Sequence, residues 1–217
     1  MHSAGVLRRI LPQLPRRPLH GPWYRAVNFD LLHGPPLPGF SGPRPLWPGG
    51  AARRGARFTP RAVRASAGAT IGIDALYLAE DELTPLAEIS GVLRPAGSPV
   101  KLLFEPQVLM TVDGSLTDVL DLTDPAIQQA IGTTPQQLTS AWVVQQSRHL
   151  AGAGPMPPTQ VLGREAFRTG RILGLRYPSS KNPSGIGIVV FTSRLRKSAH
   201  RLEVFNQPAG ALQQSLP

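Results

Sequence analysis

The sequence predicts an α+β fold: β-prone runs and short helical segments alternate irregularly from about residue 71 onward. Hydrophobic residues make up 41% of the 217, enough for the buried core of one domain, and the mean hydropathy is -0.09. No GxGxxG follows a strand and no GxxxxGK[ST] occurs, so the usual dinucleotide and P-loop signatures are missing.

In chain order, residues 1–21 are Arg-rich and interrupted by Pro12, Pro15 and Pro18, and read as a flexible basic extension. Trp23–Val27 is a short β-prone segment, and residues 34–56, dense in Pro and Gly, read as a long loop. Ala75–Ala79 reads as a strand. Thr84-Pro85 then suits an N-cap followed by Pro at the first helical position, opening a helix that ends near Gly91. Val100–Phe104, Val108–Val112 and Val119–Leu122 are strand candidates. Asp124-Pro125 starts a helix that stops at Gly132, and Pro158-Thr159-Gln160 starts one that runs through Phe167 to a stop near Gly170. Leu173–Tyr177 and Ile186–Phe191 read as strands around a turn-rich loop, Pro178–Gly185. Residues 22–205 thus form the expected domain, and 206–217 a tail.

The net charge of +10 is confined to one region. Residues 1–70 hold eleven Arg, no Lys and a single acid, Asp30, whereas residues 71–217 balance twelve basic against twelve acidic side chains. Basic residues scattered among Pro and Gly suit a solvated arm better than a nucleic-acid-binding face. Cys is absent, and His2, His20, His33, His149 and His200 show no metal-ligand spacing, so no metal site is expected. No run approaches the roughly 20 apolar residues of a membrane span. A cytoplasmic protein is the expectation.

Several polar residues could carry chemistry. Glu88 is the carboxylate deepest in an apolar helical segment, and Tyr77 lies eleven residues before it on the preceding strand. A strand-turn-helix would bring both to one cleft. Ser179 and Ser180 follow the end of a strand, and Arg57 closes the Pro/Gly loop. Singly, each has a commoner structural role: ring packing, surface charge or turn chemistry. Asp124 suits a helix cap better than a pair with Asp121, and Arg164, Arg168 and Arg171 suit a solvated face.

In combination the motifs are specific. ALYLAEDELTPLAE (75–88), LDLTDP (120–125), PTQ…LG…YPSS (158–180), IGIVVF (186–191) and the opening WYR (23–25) together resemble the RES family of bacterial NAD-degrading toxins. The resemblance implies an ADP-ribosyltransferase-like core, a mixed or split β-sheet with short flanking helices. It also implies cleavage of NAD by water or phosphate, and neutralisation by a partner antitoxin of the Xre type, through which any nucleic-acid contact would be indirect. NAD is then the substrate, with no separate cofactor. The family's motif Arg, Glu and Ser fall on Arg57, Glu88 and Ser179, with Tyr77 as the motif tyrosine and Arg25 as an additional basic residue. The interval from Arg57 to Tyr77 is twenty residues, longer than in compact members, so Arg53, Arg54, Arg61 and Arg64 compete with Arg57 for that role. Gly187 stands where many members carry Asn.

The implied roles suit the reaction. Nicotinamide leaves as a neutral molecule, so no general acid is needed and one carboxylate, Glu88, can stabilise the ribosyl cation. Arg57 would clamp the pyrophosphate, Tyr77 would stack on nicotinamide or ribose, and Ser179 would hydrogen-bond the carboxamide or a phosphate. Transfer of ADP-ribose to a protein, a catalytically weak binding module and a basic nucleic-acid binder are the competing readings.

Overall fold

The computed structural model describes residues 1–29, 32, 43–64, 70–89, 106–204 and 214–217. The chain opens with α1 (Ala4–Ile10), a 3-10 turn (Leu11–Gln13), β1 (Arg17–His20) and β2 (Trp23–Asn28). Next come α2 (Gly49–Arg54), a small hairpin of β3 (Val63–Arg64) and β4 (Thr70–Ile71), then β5 (Ala75–Ala79) and α3 (Leu83–Ile89). The long β6 (Gln107–Asp121) leads into α4 (Pro125–Ile131), α5 (Pro135–Thr139), α6 (Trp142–Leu150) and α7 (Pro158–Arg168). Strands β7 (Gly174–Pro178), β8 (Ile186–Phe191), β9 (Arg201–Val204) and β10 (Gln214–Leu216) complete the order.

One mixed sheet of eight strands has the order β10-β9-β6-β2-β5-β8-β7, with β1 also on β6. Strand β6 pairs antiparallel with β2 through Gln107–Val112 and parallel with β7 through Val119–Asp121. These two pairings close a ring, β6-β2-β5-β8-β7. Alternation along the central strands buries both faces. Ala75, Tyr77, Val189 and Phe191 pack toward the helices, while Leu76, Leu78, Ile188 and Val190 pack into a second core with Trp23 and Val112. The α+β expectation is met, with a mixed sheet and short helices.

Several local readings are corrected. Residues 1–21 are not a flexible extension: Leu7 and Leu11 are fully buried, α1 packs on α7, and β1 pairs with β6. Each buried leucine stabilises by about 1.5–3 kcal/mol, which local proline placement does not reveal. Pro12 falls in the 3-10 turn after the helix, so it ends α1 without abolishing it. The 34–56 stretch contains helix α2 at its end. The expected strands 108–112 and 119–122 belong to one strand; Asp113-Gly114 resembles a turn locally, but β9 pairs across it. Helices α5 and α6 went unforeseen, and residues 214–216 of the expected tail form β10 on β9. The expected strand at 100–104 lies outside the described residues.

The helix starting at Pro125 behaves as read: the Asp124 side chain accepts from the Ala126 amide, and Gly132 takes φ 63° at the C-cap. Asp121 is held by Arg17, Arg176 and Thr123 and serves structure. Arg168 and Arg171 are exposed, as a solvated face requires, yet Arg164 and Arg168 also hold a buried acid. With Arg8 of α1 they close on Glu165, whose side chain is fully buried, at 3.0–3.1 Å. Burial raises the Glu165 pKa, but these arginines outweigh it and hold the carboxyl below its ordinary value. Among the described residues, no helix is long and apolar enough to cross a membrane.

Candidate active site

Helix α3 begins where Asp81 accepts the Leu83 and Thr84 amides at 3.0 and 2.9 Å, so Asp81 rather than Thr84 caps it. The Thr84 hydroxyl donates to Asp81 at 2.6 Å and accepts from the Asn182 side chain at 2.9 Å. A Cβ at Gly185 would collide with that same hydroxyl. The first turn of α3 is therefore docked on the loop between β7 and β8, and Glu88, one turn further on, faces that loop's start.

There the Glu88 Oε1 accepts the Ser179 hydroxyl at 2.6 Å and the Ser180 amide at 3.1 Å. Its Oε2 has no hydrogen-bond partner among the described residues, and Glu88 lines a cavity of about 370 Å³. Ser179 is fully engaged. Its hydrogen goes to Glu88, and its oxygen accepts the Lys181 and Asn182 amides at 3.1 Å each. The Ser179 hydroxyl thus holds Glu88 and the turn after it.

Arg57 is 7% exposed and reaches the same point from the opposite side. Its Nη1 donates to the Leu138 and Ser140 carbonyls at 2.9 Å each, and its Nη2 donates to the Ser180 hydroxyl at 2.6 Å. Ser180, named in the sequence only as a neighbour of Ser179, thus links Arg57 to Glu88. Arg53 and Arg61 are exposed, and Arg54 is exposed at the cavity rim. The side chain of Arg64 lies outside the described residues; among those described, the guanidinium of Arg57 is the one that reaches Glu88's partners.

The loop carrying Arg57 is held from α6 and α7. Gln160 donates to the Ala56 carbonyl at 2.9 Å and to the Gln146 side chain at 2.6 Å, and Gln146 donates to the Arg54 carbonyl at 3.0 Å. A Cβ at Gly163 would run into the Phe58 carbonyl, so glycine there permits close approach of helix and loop. Gln160 and Gly163 sit inside the PTQ…LG motif, whose purpose the sequence alone does not disclose, whereas Gln146 belongs to α6. Tyr77 completes the clamp: its hydroxyl accepts the Phe58 amide at 3.1 Å and lies 3.3 Å from the Thr59 hydroxyl. Burial raises its pKa to about 12, against the lowering effect of Thr59, Phe58 and Arg57. The phenol remains protonated at neutral pH.

Arg25 projects from β2 to the other end of the cavity. It donates to the carbonyls of Pro45, Tyr77 and Trp47 at 3.0, 3.2 and 3.3 Å. Burial depresses its pKa to about 10, still leaving it cationic. None of the three acceptors is a carboxylate, so its charge is not neutralised by them. Trp47, Trp142, Tyr177 and Gly187 also line the cavity and were not assigned there from sequence. Geometry thus gathers Arg25, Arg57, Tyr77 and Glu88 around one space, with Ser179 just behind Glu88.

No curated protein is similar in sequence to this chain. Among solved structures it is similar to a chain in the M. tuberculosis MbcT-MbcA toxin-antitoxin complex, with 21% identity and a TM-score of 0.61. The match covers 93% of this chain and 90% of that one, and at this identity it establishes a shared fold. A family model for the RES domain matches residues 22–212, nearly the whole chain. The chain belongs to the RES domain family.

Proposed function

We propose that this protein cleaves NAD at the bond between ribose and nicotinamide, passing ADP-ribose to water or phosphate. The observation that carries the reading is Glu88: neutral donors fix one of its oxygens, and the other meets no partner among the described residues, at a cavity that also presents Arg25 and Arg57. A carboxylate held this way keeps its negative charge uncompensated, which suits a developing ribosyl cation. The leaving group departs neutral, so a second carboxyl, needed for ordinary glycosides, is not required.

The rest of the site divides the substrate. Arg57 uses both Nη1 hydrogens and one on Nη2 in holding its loop, leaving Nε–H and one Nη2–H for a phosphate oxygen. Arg25 supplies a second cation to the pyrophosphate. The Tyr77 hydroxyl is tied to the Arg57 loop, which leaves its ring to stack on nicotinamide or ribose. In the cell, the protein would act as a toxin on the cytoplasmic NAD pool, countered by an antitoxin partner; the toxin-antitoxin complex of similar fold supports that role.

Purified protein mixed with NAD should release nicotinamide, followed by chromatography with and without phosphate. Appearance of ADP-ribose 1″-phosphate would identify phosphorolysis, and free ADP-ribose would identify hydrolysis. Protein-linked ADP-ribose as the main product would replace this reading with transferase activity. No nicotinamide release under any of these conditions would end it. Expression should halt growth, with relief by co-expressed antitoxin.

A further inference from the structure

We infer that the Tyr177 hydroxyl donates a hydrogen bond to the substrate ribose beside Glu88, making Tyr177, rather than Tyr77, the tyrosine that recognises substrate through its phenol. The inference rests on the NAD-cleaving reading above and assigns a residue which that reading leaves without a role.

Tyr177 is 4% exposed and lines the cavity. Its ring packs on Phe58 with centroids 4.7 Å apart, and it sits directly across from Gly187 in the pairing of β7 with β8. A Cβ at position 187 would come within 2.5 Å of Tyr177 Cζ and 2.7 Å of its Oη. Glycine at 187 is therefore what lets the ring lie flat across the neighbouring strand with its hydroxyl at the cavity wall.

The two tyrosines differ in what their hydroxyls do. The Tyr77 oxygen is occupied by the Phe58 amide and the Thr59 hydroxyl. The Tyr177 hydroxyl makes no hydrogen bond to any described residue, and the residue lines the cavity. A nearly buried phenol is rarely left without a partner unless a ligand or water supplies one. Burial, then the proximity of Tyr77 and the Glu88 charge, push its pKa well above 10, so it acts only as a protonated donor. Tyr177 and Glu88 line the same cavity, which indicates the part of the substrate that Tyr177 meets. Glu88 accepts from, or faces, the ribose on the nicotinamide side, and a donor beside it complements the ribose oxygens.

Two ligands separate the possibilities: ADP-ribose carries the second ribose and ADP lacks it. Calorimetric titration of Tyr177→Phe should show ADP-ribose binding weakened about three- to tenfold, the worth of one neutral hydrogen bond, with ADP binding within twofold of wild type. Phe keeps the ring on Gly187, so the melting temperature should stay within about 2 °C. Gly187→Ala, which must displace the ring, should show the same selective loss. Unchanged ADP-ribose binding by Tyr177→Phe overturns the inference, as does equal loss of both ligands or a larger drop in melting temperature. If wild type still releases nicotinamide in those cases, only the assignment of Tyr177 fails. If wild type neither binds ADP-ribose nor releases nicotinamide, the assignment falls together with the proposed function.

Discussion

Glu88 and Glu165 are both carboxylates on helices, and their surroundings are opposites. Glu165 on α7 is fully buried and ringed by Arg8, Arg164 and Arg168, three fixed cations that satisfy both of its oxygens. Among the described residues, Glu88 on α3 meets no cation directly; a serine hydroxyl and an amide fix one oxygen, and the other is left over at a cavity. The first arrangement spends the charge on holding α1 to α7. The second preserves the charge for something absent from the chain. Partner chemistry, more than burial, distinguishes a structural acid from a reactive one.

Helix α7 joins the two regions, and the largest effect is expected there. Gly163→Ala drives a Cβ into the Phe58 carbonyl, which cannot move without shifting Arg57. It should destabilise by about 2–4 kcal/mol and reduce nicotinamide release as well. Wild-type melting and turnover in this variant would show that the close approach is dispensable. Glu165→Gln should follow, lowering stability by about 1–3 kcal/mol in denaturant titration, because its arginines are partly exposed and rehydrate. Turnover per folded molecule should be unchanged; a loss would blur the contrast with Glu88.

Acid should sharpen it further. Both Glu165 and Asp121 are held below their ordinary values of 4.5 and 3.8, so the native state binds fewer protons than the unfolded chain in that range. Their stabilisation is complete above about pH 4.5 and is lost as pH falls through the depressed native values. Glu165→Gln should flatten this acid limb of the melting profile. A smaller step belongs to His200, whose Nδ1 accepts the Arg196 amide at 2.9 Å and whose Nε2 lies 2.8 Å from the Thr117 hydroxyl. Burial, then the Arg196 charge, holds it neutral below its usual 6.5. Its contribution is present above pH 6.5 and declines as pH drops below that value, a slope that His200→Gln should remove.

Sequence reading reached the fold class because it depends on local pattern. Alternating apolar residues marked β5 and β8, and Asp124-Pro125 with Gly132 bracketed α4. It failed where distant contacts decide. Prolines made residues 1–21 look unstructured, yet Leu7 and Leu11 find a core supplied largely by later residues. At the site, Glu88, Tyr77 and Arg57 were legible through spacing and family likeness. The division of labour was not. Ser179 spends its hydroxyl on Glu88, Tyr77 on the Arg57 loop, and Gln146 and Gln160 clamp that loop from 92 and 104 residues away in sequence. Hydrogen-bond direction decides each role, and it exists only once the chain has folded.

In the proposed reaction, the Glu88 oxygen without a partner among the described residues supplies the reactive charge. Nicotinamide release from NAD by Glu88→Gln, compared side by side with Glu165→Gln, tests it most directly. Glu88→Gln should retain the wild-type melting temperature within a few degrees and lose about 10²–10³-fold or more in turnover. Turnover near wild type by Glu88→Gln would contradict the account, whatever Glu165→Gln does.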